Sequence, residues 1–174
     1  MTDKKIVYII GFMGSGKSTA GKKIASLLGC TFIDIDRKIE EAAGKSIPEI
    51  FSLDGEEHFR KMESEVLKRI GTGDLTIVST GGGTPCHGDN LDYMLATGVT
   101  VYLKMTPEQL TYRLLESTSS RPLIKNISDE DLPGFITRVL SVRERWYSQA
   151  DIIIEGINFD IKKLIELIKE QIAV

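Results

Sequence analysis

Eight consecutive residues, Gly11-Phe12-Met13-Gly14-Ser15-Gly16-Lys17-Ser18, satisfy every fixed position of the pattern G-x-x-x-x-G-K-[ST]. The chemistry this spacing serves is the holding of a nucleoside triphosphate. Glycines let successive backbone N–H groups turn inward around phosphate oxygens, and a helix opening at the lysine aims its unpaired amides at the same anion. Lys17 is then placed to reach the β- and γ-phosphates and Ser18 to hold Mg²⁺. The flanks suit the motif: Lys5 to Ile10 is a β-branched and aromatic run fit for a buried strand, and Thr19 to Leu28 is helix-compatible.

Four further charged residues break local rules in ways that suggest a ligand. In Thr31-Phe32-Ile33-Asp34-Ile35-Asp36, period-2 alternation puts Phe32, Asp34 and Asp36 on one face of a strand that ought to be apolar. Carboxylates there need a partner, water or a metal. We expect Asp36 to accept a hydrogen bond from a substrate hydroxyl, with a role as base, and Asp34 to hold hydrated Mg²⁺; the alternative for Asp36 is a plain helix N-cap. Arg143 interrupts the row Ile136, Val139, Leu140, Arg143, Tyr147, which otherwise faces a core on a helix from Gly134 to about Tyr147. A guanidinium on the inner side calls for an anion. Arg60 sits at the edge of the stripe Phe59, Met62, Val66, Ile70, with Glu56 and Glu63 at helical spacing to fix it; the alternative for it is a plain solvated helix face. Two inward arginines and an aspartate, with no second phosphate-binding loop, predict a small acceptor carrying a carboxylate and hydroxyls.

The elements that must position these groups alternate along the chain. Strand candidates are Lys5 to Ile10, Thr31 to Ile35, Leu75 to Ser79, Val99 to Met105 and Ile152 to Glu155, separated by helical stretches. That pattern predicts a parallel sheet covered by helices, with ligands beyond the carboxyl ends of the strands. Gly11 onward, Asp36, Gly81 onward and Thr106 follow four of those ends. The one long irregular stretch, residues 116–133, reads as a lid. Arg121 within it precedes Pro122, is biased to an extended conformation, and is suited to neutralise charge on a moving phosphoryl group.

Composition narrows the classes. A chain of 174 residues with a net charge of −3 is expected to form a single domain, 1–174, with no global positive field for nucleic acid or an anionic membrane. No apolar run approaches membrane-spanning length, and the first residues lead directly into a strand, so a cytoplasmic protein is expected, with a monomer as the default. Cys30 and Cys86 have no metal-ligand spacing and read as small buried or half-buried thiols, and His58 and His87 as structural or solvated.

Taken together, the loop at Gly11 to Thr19, Asp34-x-Asp36, Phe51-x-x-x-Gly55-Glu56-x-x-Phe59-Arg60, Gly81-Gly82-Gly83, Arg121-Pro122-Leu123 and Arg143-x-x-x-Tyr147 resemble a shikimate kinase over nearly the whole chain, in order. The resemblance implies a nucleoside-monophosphate-kinase-like P-loop fold of the three-layer α/β class. It implies a five-stranded parallel sheet in the order 2-3-1-4-5, a substrate-binding region at about 36–63 and a mobile lid. It also implies ATP held by Gly14, Ser15, Gly16, Lys17, Ser18, Thr19 and Arg121, Mg²⁺ held by Ser18 and, through water, Asp34, and shikimate held by Asp36, Arg60, Gly82 and Arg143. Lys17, Asp36 and Arg121 would be catalytic. Gly82 enters through the resemblance, with a steric reason: a Cβ there would collide with substrate. Where the family has Arg-x-Pro-x-Tyr, this chain has Arg143-Glu144-Arg145-Trp146-Tyr147, so register leaves Arg145 as an alternative to Arg143; the apolar stripe favours Arg143. The expected reaction is transfer of the γ-phosphoryl of ATP to the 3-hydroxyl of shikimate. Competing readings are a kinase for another small hydroxy acid such as gluconate, and a nucleotide-binding module without chemistry. A GTPase-like switch is disfavoured because Asp131-Leu132-Pro133-Gly134 opens a helix and no guanine-reading motif appears.

Overall fold

The computed structural model describes residues 4–71, 73–117 and 122–172. Five parallel strands, β1 (Ile6–Ile10), β2 (Thr31–Asp34), β3 (Thr76–Ser79), β4 (Gly98–Lys104) and β5 (Ile152–Glu155), form one sheet in the order β2-β3-β1-β4-β5. Every residue of β1 is buried, as the central strand of a sheet covered on both faces must be. The crossovers carry α1 (Lys17–Leu28), α2 (Ile35–Ala43), α3 (Ile47–Leu53), α4 (Gly55–Lys68), α5 (Asn90–Thr97), α6 (Pro107–Glu116) and α7 (Leu132–Tyr147), and α8 (Ile161–Ile172) follows β5. One apolar layer unites Tyr8, Ile10, Ile39, Leu67 and Ile136 on one sheet face, and a second unites Val7, Ile9, Ile24, Leu164 and Ile168 on the other. The three-layer class and strand order expected above are both present.

Register decides what meets at the carboxyl edge. β1 pairs with β3 from Ile6↔Thr76 to Ile9↔Ser79, and β2 pairs with β3 so that Asp34 faces Ser79. The turns after β1 and β3 therefore emerge side by side.

Two boundaries differ from the sequence expectation. β2 stops at Asp34, which accepts from the backbone N–H of Arg37 and caps α2, while Asp36 lies in the first helical turn. The alternation that put Asp34 and Asp36 on one strand face thus fails after Asp34, because the carboxylate of Asp34 offers the chain a helix start instead. The described parts of the stretch 116–133, residues 116–117 and 122–133, are also less irregular than their composition suggests. Glu116 closes α6, Leu132 opens α7, and Pro122–Ile124 forms a 3-10 turn. Among the described residues, no helix is long and apolar enough to cross a membrane.

Candidate active site

The turn after β1 is shaped by glycines at positive φ, 82° at Gly14 and 89° at Gly16, where side chains are strained. Gly16 caps α1, so the first amides of that helix open into the loop. Lys17 is buried and its Nζ donates to the carbonyls of Gly11 and Phe12 at 2.9 Å each, folding the ammonium back over the loop. Ser15 Oγ is buried and has no hydrogen-bond partner among the described residues. A buried hydroxyl in a ring of amides lacks an acceptor, and phosphate oxygens supply one.

Beside the loop, Ser18 Oγ donates to Asp34 Oδ2 at 2.5 Å and lies 3.1 Å from Ser79 Oγ. The β2·β3 register brings Asp34 and Ser79 together, and the first turn of α1 adds Ser18. Among the described residues no cluster of three or more His, Cys, Asp or Glu side chains could hold a metal alone. An oxygen-only pair such as Ser18 and Asp34 fits a hard cation that keeps waters and takes its remaining ligands from phosphate, as Mg²⁺ does.

A cleft of about 430 Å³ lies over this floor, lined by Lys17, Ser18, Thr19, Asp34 and Asp36 among others, and a pocket of about 90 Å³ continues from it. Met13, Asp36, Gly81 and Gly82 line both. Asp36, Arg60, Gly82 and Arg143, drawn from α2, α4, the turn after β3 and α7, all line the smaller pocket, and so do Phe51, Phe59 and Leu123.

Each arginine is held differently. Arg60 Nη1 donates to Glu63 Oε2 at 3.1 Å, and its Nε and Nη2 donate to Glu56 Oε1 at 3.3 and 3.1 Å. Glu63 is fully buried and Arg60 is only 12% exposed at its side chain, so this pair works in a medium where charge interactions are weakly screened. Arg143 stands 5.5 Å from the centroid of Phe12, and its Nη1 is buried with no hydrogen-bond partner among the described residues. A buried N–H of a permanent cation without an acceptor calls for an anion in the pocket. Arg145 is exposed, stacked 3.8 Å above Trp146, and does not line the pocket. One turn after Arg143, the Tyr147 hydroxyl donates to the Gly82 carbonyl, tying α7 to the glycine run. Burial drives the Tyr147 phenol well above the usual range, so it stays protonated as a donor.

The glycine run is crowded by the protein itself. A Cβ at Gly83 would come within 2.6 Å of Arg60 Nη1, and one at Gly81 within 2.6 Å of Glu63 Oε1. At Gly82 the nearest atom would be the Met13 nitrogen at 3.0 Å. The tightest constraints therefore fall on the two glycines flanking Gly82, and their cause is the Arg60–Glu63 pair.

Several residues lie outside the sequence expectation. Arg113 of α6 donates from Nε to the Gly14 carbonyl at 2.6 Å and lines the main cleft. Together with Thr19, Lys23, Asn158 and Phe159 it also lines a second cleft, of about 350 Å³, that opens beyond Gly16. Asn158 and Phe159 follow β5, the one strand whose carboxyl end was not singled out above, and the strand-end rule itself would have found them. Thr106 proves to be a helix cap, completing a capping box with Gln109. Arg121 lies outside the described residues. Cys86 is half-buried, its thiol pushed up to about 11 by burial against the opposing pull of Arg143 and Arg60.

Comparison with known proteins agrees on one family. A sequence model described as shikimate kinase matches residues 13–173. The shikimate kinase of Parabacteroides distasonis is 41% identical over 161 residues, covering 92% of this chain and 90% of that one. The crystal structure of shikimate kinase from Bacteroides thetaiotaomicron superposes with a TM-score of 0.87 at 34% identity, covering 97% of this chain and 98% of that one. Shikimate kinase from Acinetobacter baumannii, solved in complex with shikimate, gives a TM-score of 0.85 at 31% identity over 97% and 93% of the two chains.

Proposed function

The chain belongs to the shikimate kinase family, and on that footing we propose that it transfers the γ-phosphoryl of ATP to the 3-hydroxyl of shikimate, with the residue roles that follow. The observation that carries the acceptor assignment is the buried Arg143 Nη1, without a hydrogen-bond partner among the described residues, on a pocket that also holds Arg60 and Asp36. A hydroxylated ring bearing one carboxylate satisfies all three.

In this reading the loop amides and Ser15 hold the phosphates, and Thr19, Arg113 and the residues after β5 enclose the nucleoside side. Lys17 leaves the carbonyls of Gly11 and Phe12 to meet the γ-phosphoryl oxygens. Ser18 and Asp34 would hold Mg²⁺, which supplies positive charge against the phosphates when bound. Arg60 and Arg143 take the carboxylate as charge-assisted hydrogen bonds, each worth roughly 1.5 to 3 kcal/mol. That fixes the ring so that a hydroxyl lies at Asp36, on the boundary between the two compartments. Asp36 accepts that hydrogen bond and takes the proton as the oxygen attacks phosphorus. Lys17 and Arg121 share the charge that develops on the transferring group, where most phosphoryl-transfer catalysis arises. The segment around Arg121 closes over the cleft to exclude water, since hydrolysis of ATP is the competing reaction.

The test is ADP release from MgATP with shikimate, gluconate and AMP offered separately, beside a control without acceptor. ADP formed with shikimate alone is the expected result. ADP formed only with gluconate would move the acceptor assignment to another hydroxy acid. Nucleotide binding without any acceptor-dependent ADP would leave the loop assignment standing and remove the reaction.

A further inference from the structure

Behind the acceptor pocket runs a chain of buried polar groups that begins at Glu63 on the pocket wall. Glu63, Thr84 and Asn90 are each fully buried. Glu63 Oε2 accepts from Arg60 Nη1 at 3.1 Å, and its other oxygen, Oε1, accepts from Thr84 Oγ1 at 2.5 Å. The Thr84 carbonyl accepts from Asn90 Nδ2 at 2.9 Å, and Asn90 Oδ1 in turn accepts from Ser64 Oγ, one residue beyond Glu63. The path thus leaves α4 at Glu63, crosses the 3-10 turn Thr84–Cys86 after the glycine run and the first residue of α5, and returns to α4.

We propose, resting on the function reading above, that Thr84 is a positioning residue for acceptor binding, which acts through Glu63 to set the orientation of Arg60. The reason lies in how the carboxylate divides its lone pairs. A fully buried carboxylate oxygen without a donor is costly, and Thr84 is the side chain that supplies one to Oε1. With Oε1 satisfied, Glu63 engages Arg60 through one oxygen and one N–H. Glu56 takes two more N–H groups. Of the five N–H donors of a guanidinium, two are then left without a partner among the described residues, free for an acceptor carboxylate. Without the Thr84 hydroxyl, Oε1 would seek the same guanidinium, and a two-pronged Arg60–Glu63 pair would use the donors that the substrate needs. Asn90 keeps Thr84 in place by holding its carbonyl. Gly81 leaves room for the arrangement, since a Cβ there would come within 2.6 Å of Glu63 Oε1 and 3.0 Å of Thr84 Oγ1. Neither Thr84 nor Asn90 lines the pocket.

The experiment compares wild type with Thr84→Val, which keeps the shape and loses the hydroxyl, and Thr84→Ser, which keeps the hydroxyl. Shikimate Kd is measured by calorimetry, and kcat and both KM values by ADP release. The expected result is a rise of about tenfold in shikimate Kd and KM for Thr84→Val, the scale of one hydrogen bond to a charged group. Its ATP KM and kcat should stay near wild type, and Thr84→Ser should recover shikimate binding. If Thr84→Val does not fold, Thr84→Ala, which removes the hydroxyl together with the γ-methyl, is read in the same way. Unchanged shikimate Kd in the valine variant would overturn the proposal, as would parallel loss of kcat and both KM values, or failure of serine to restore binding. Wild-type protein that releases no ADP with shikimate would overturn the function reading, and this inference with it; active wild type with an indifferent valine variant overturns the inference alone.

Discussion

The nucleotide side of the cleft and the acceptor side meet at Met13, Asp36, Gly81 and Gly82, yet they are assembled from the chain in different ways. The first is mostly backbone. One turn of contiguous residues, three glycines at positive φ (Gly11, Gly14 and Gly16) and the start of α1 create its anion site, and its lysine is parked on the loop's own carbonyls. The second is mostly side chain. Asp36, Arg60 and Arg143 come from three helices spread over more than half of the sequence, with Arg60 held by Glu56 and Glu63 and Arg143 set against the Phe12 ring. A backbone site needs local conformation and little else. A side-chain site needs the whole fold, so its function should be separable by substitutions that leave the loop untouched.

The largest expected effect lies on the nucleotide side. Lys17→Ala removes the cation that meets charge as it develops on the transferring group, and kcat should fall on the order of 10³-fold, comparable to deleting a preorganised transition-state donor. Single-turnover kinetics with saturating shikimate reads it directly. Retention of most of kcat would mean that the ammonium stays on the Gly11 and Phe12 carbonyls throughout the reaction.

On the acceptor side the split should run the other way. Arg143→Ala should raise shikimate KM by about ten- to a hundredfold, the range of one charge-assisted hydrogen bond at about 1.4 kcal/mol per decade. ATP KM should stay close to wild type. Arg145→Ala, two residues on, should change either constant by about twofold at most, because Arg145 is exposed, stacked on Trp146 and outside the pocket lining. Steady-state kinetics on both variants checks the pair. An Arg145→Ala defect equal to that of Arg143→Ala would mean that α7 turns Arg145 into the acceptor pocket.

The same contrast explains how much of the molecule could be read from its sequence. The P-loop was legible as eight adjacent letters, and the sheet as five apolar runs whose parallel direction the crossovers enforce, while the strand order came only with the family resemblance. Arg143 was legible because a charge in the row Ile136, Leu140, Tyr147 breaks a helical stripe. Arg113 had no such signal: it joins the site only because α6 packs across the loop and meets the Gly14 carbonyl, a contact between residues 99 apart. Glu63 could be placed beside Arg60 by helical spacing, but its full burial and its tie to Thr84 depend on where the turn after β3 lies. Asp36 shows the opposite error. Period-2 alternation assigned it to a strand, and the capping chemistry of Asp34, two residues earlier, moved it onto a helix with its carboxylate still at the boundary of the two compartments.

The smallest effect tests whether the acceptor side carries its positive charge in the resting protein. His87 is depressed below its ordinary 6.5, first by burial and then by Arg60, with Glu56 opposing and Arg143 adding to the depression. The unfolded chain therefore takes up this proton before the folded one does as pH falls. The contribution of His87 to stability is complete above about 6.5 and declines as pH drops from there through the folded-state value. His87→Gln should flatten that part of the acid-side fall in Tm, by a few °C at most for a domain of this size. Shikimate should flatten it in wild type as well, because a carboxylate between Arg60 and Arg143 cancels part of the field that depresses His87, whereas ATP alone should not. Thermal unfolding between pH 7.5 and 5.5, with each ligand in turn, reads the difference. An equal response to both ligands would mean that the two compartments are not electrostatically separate.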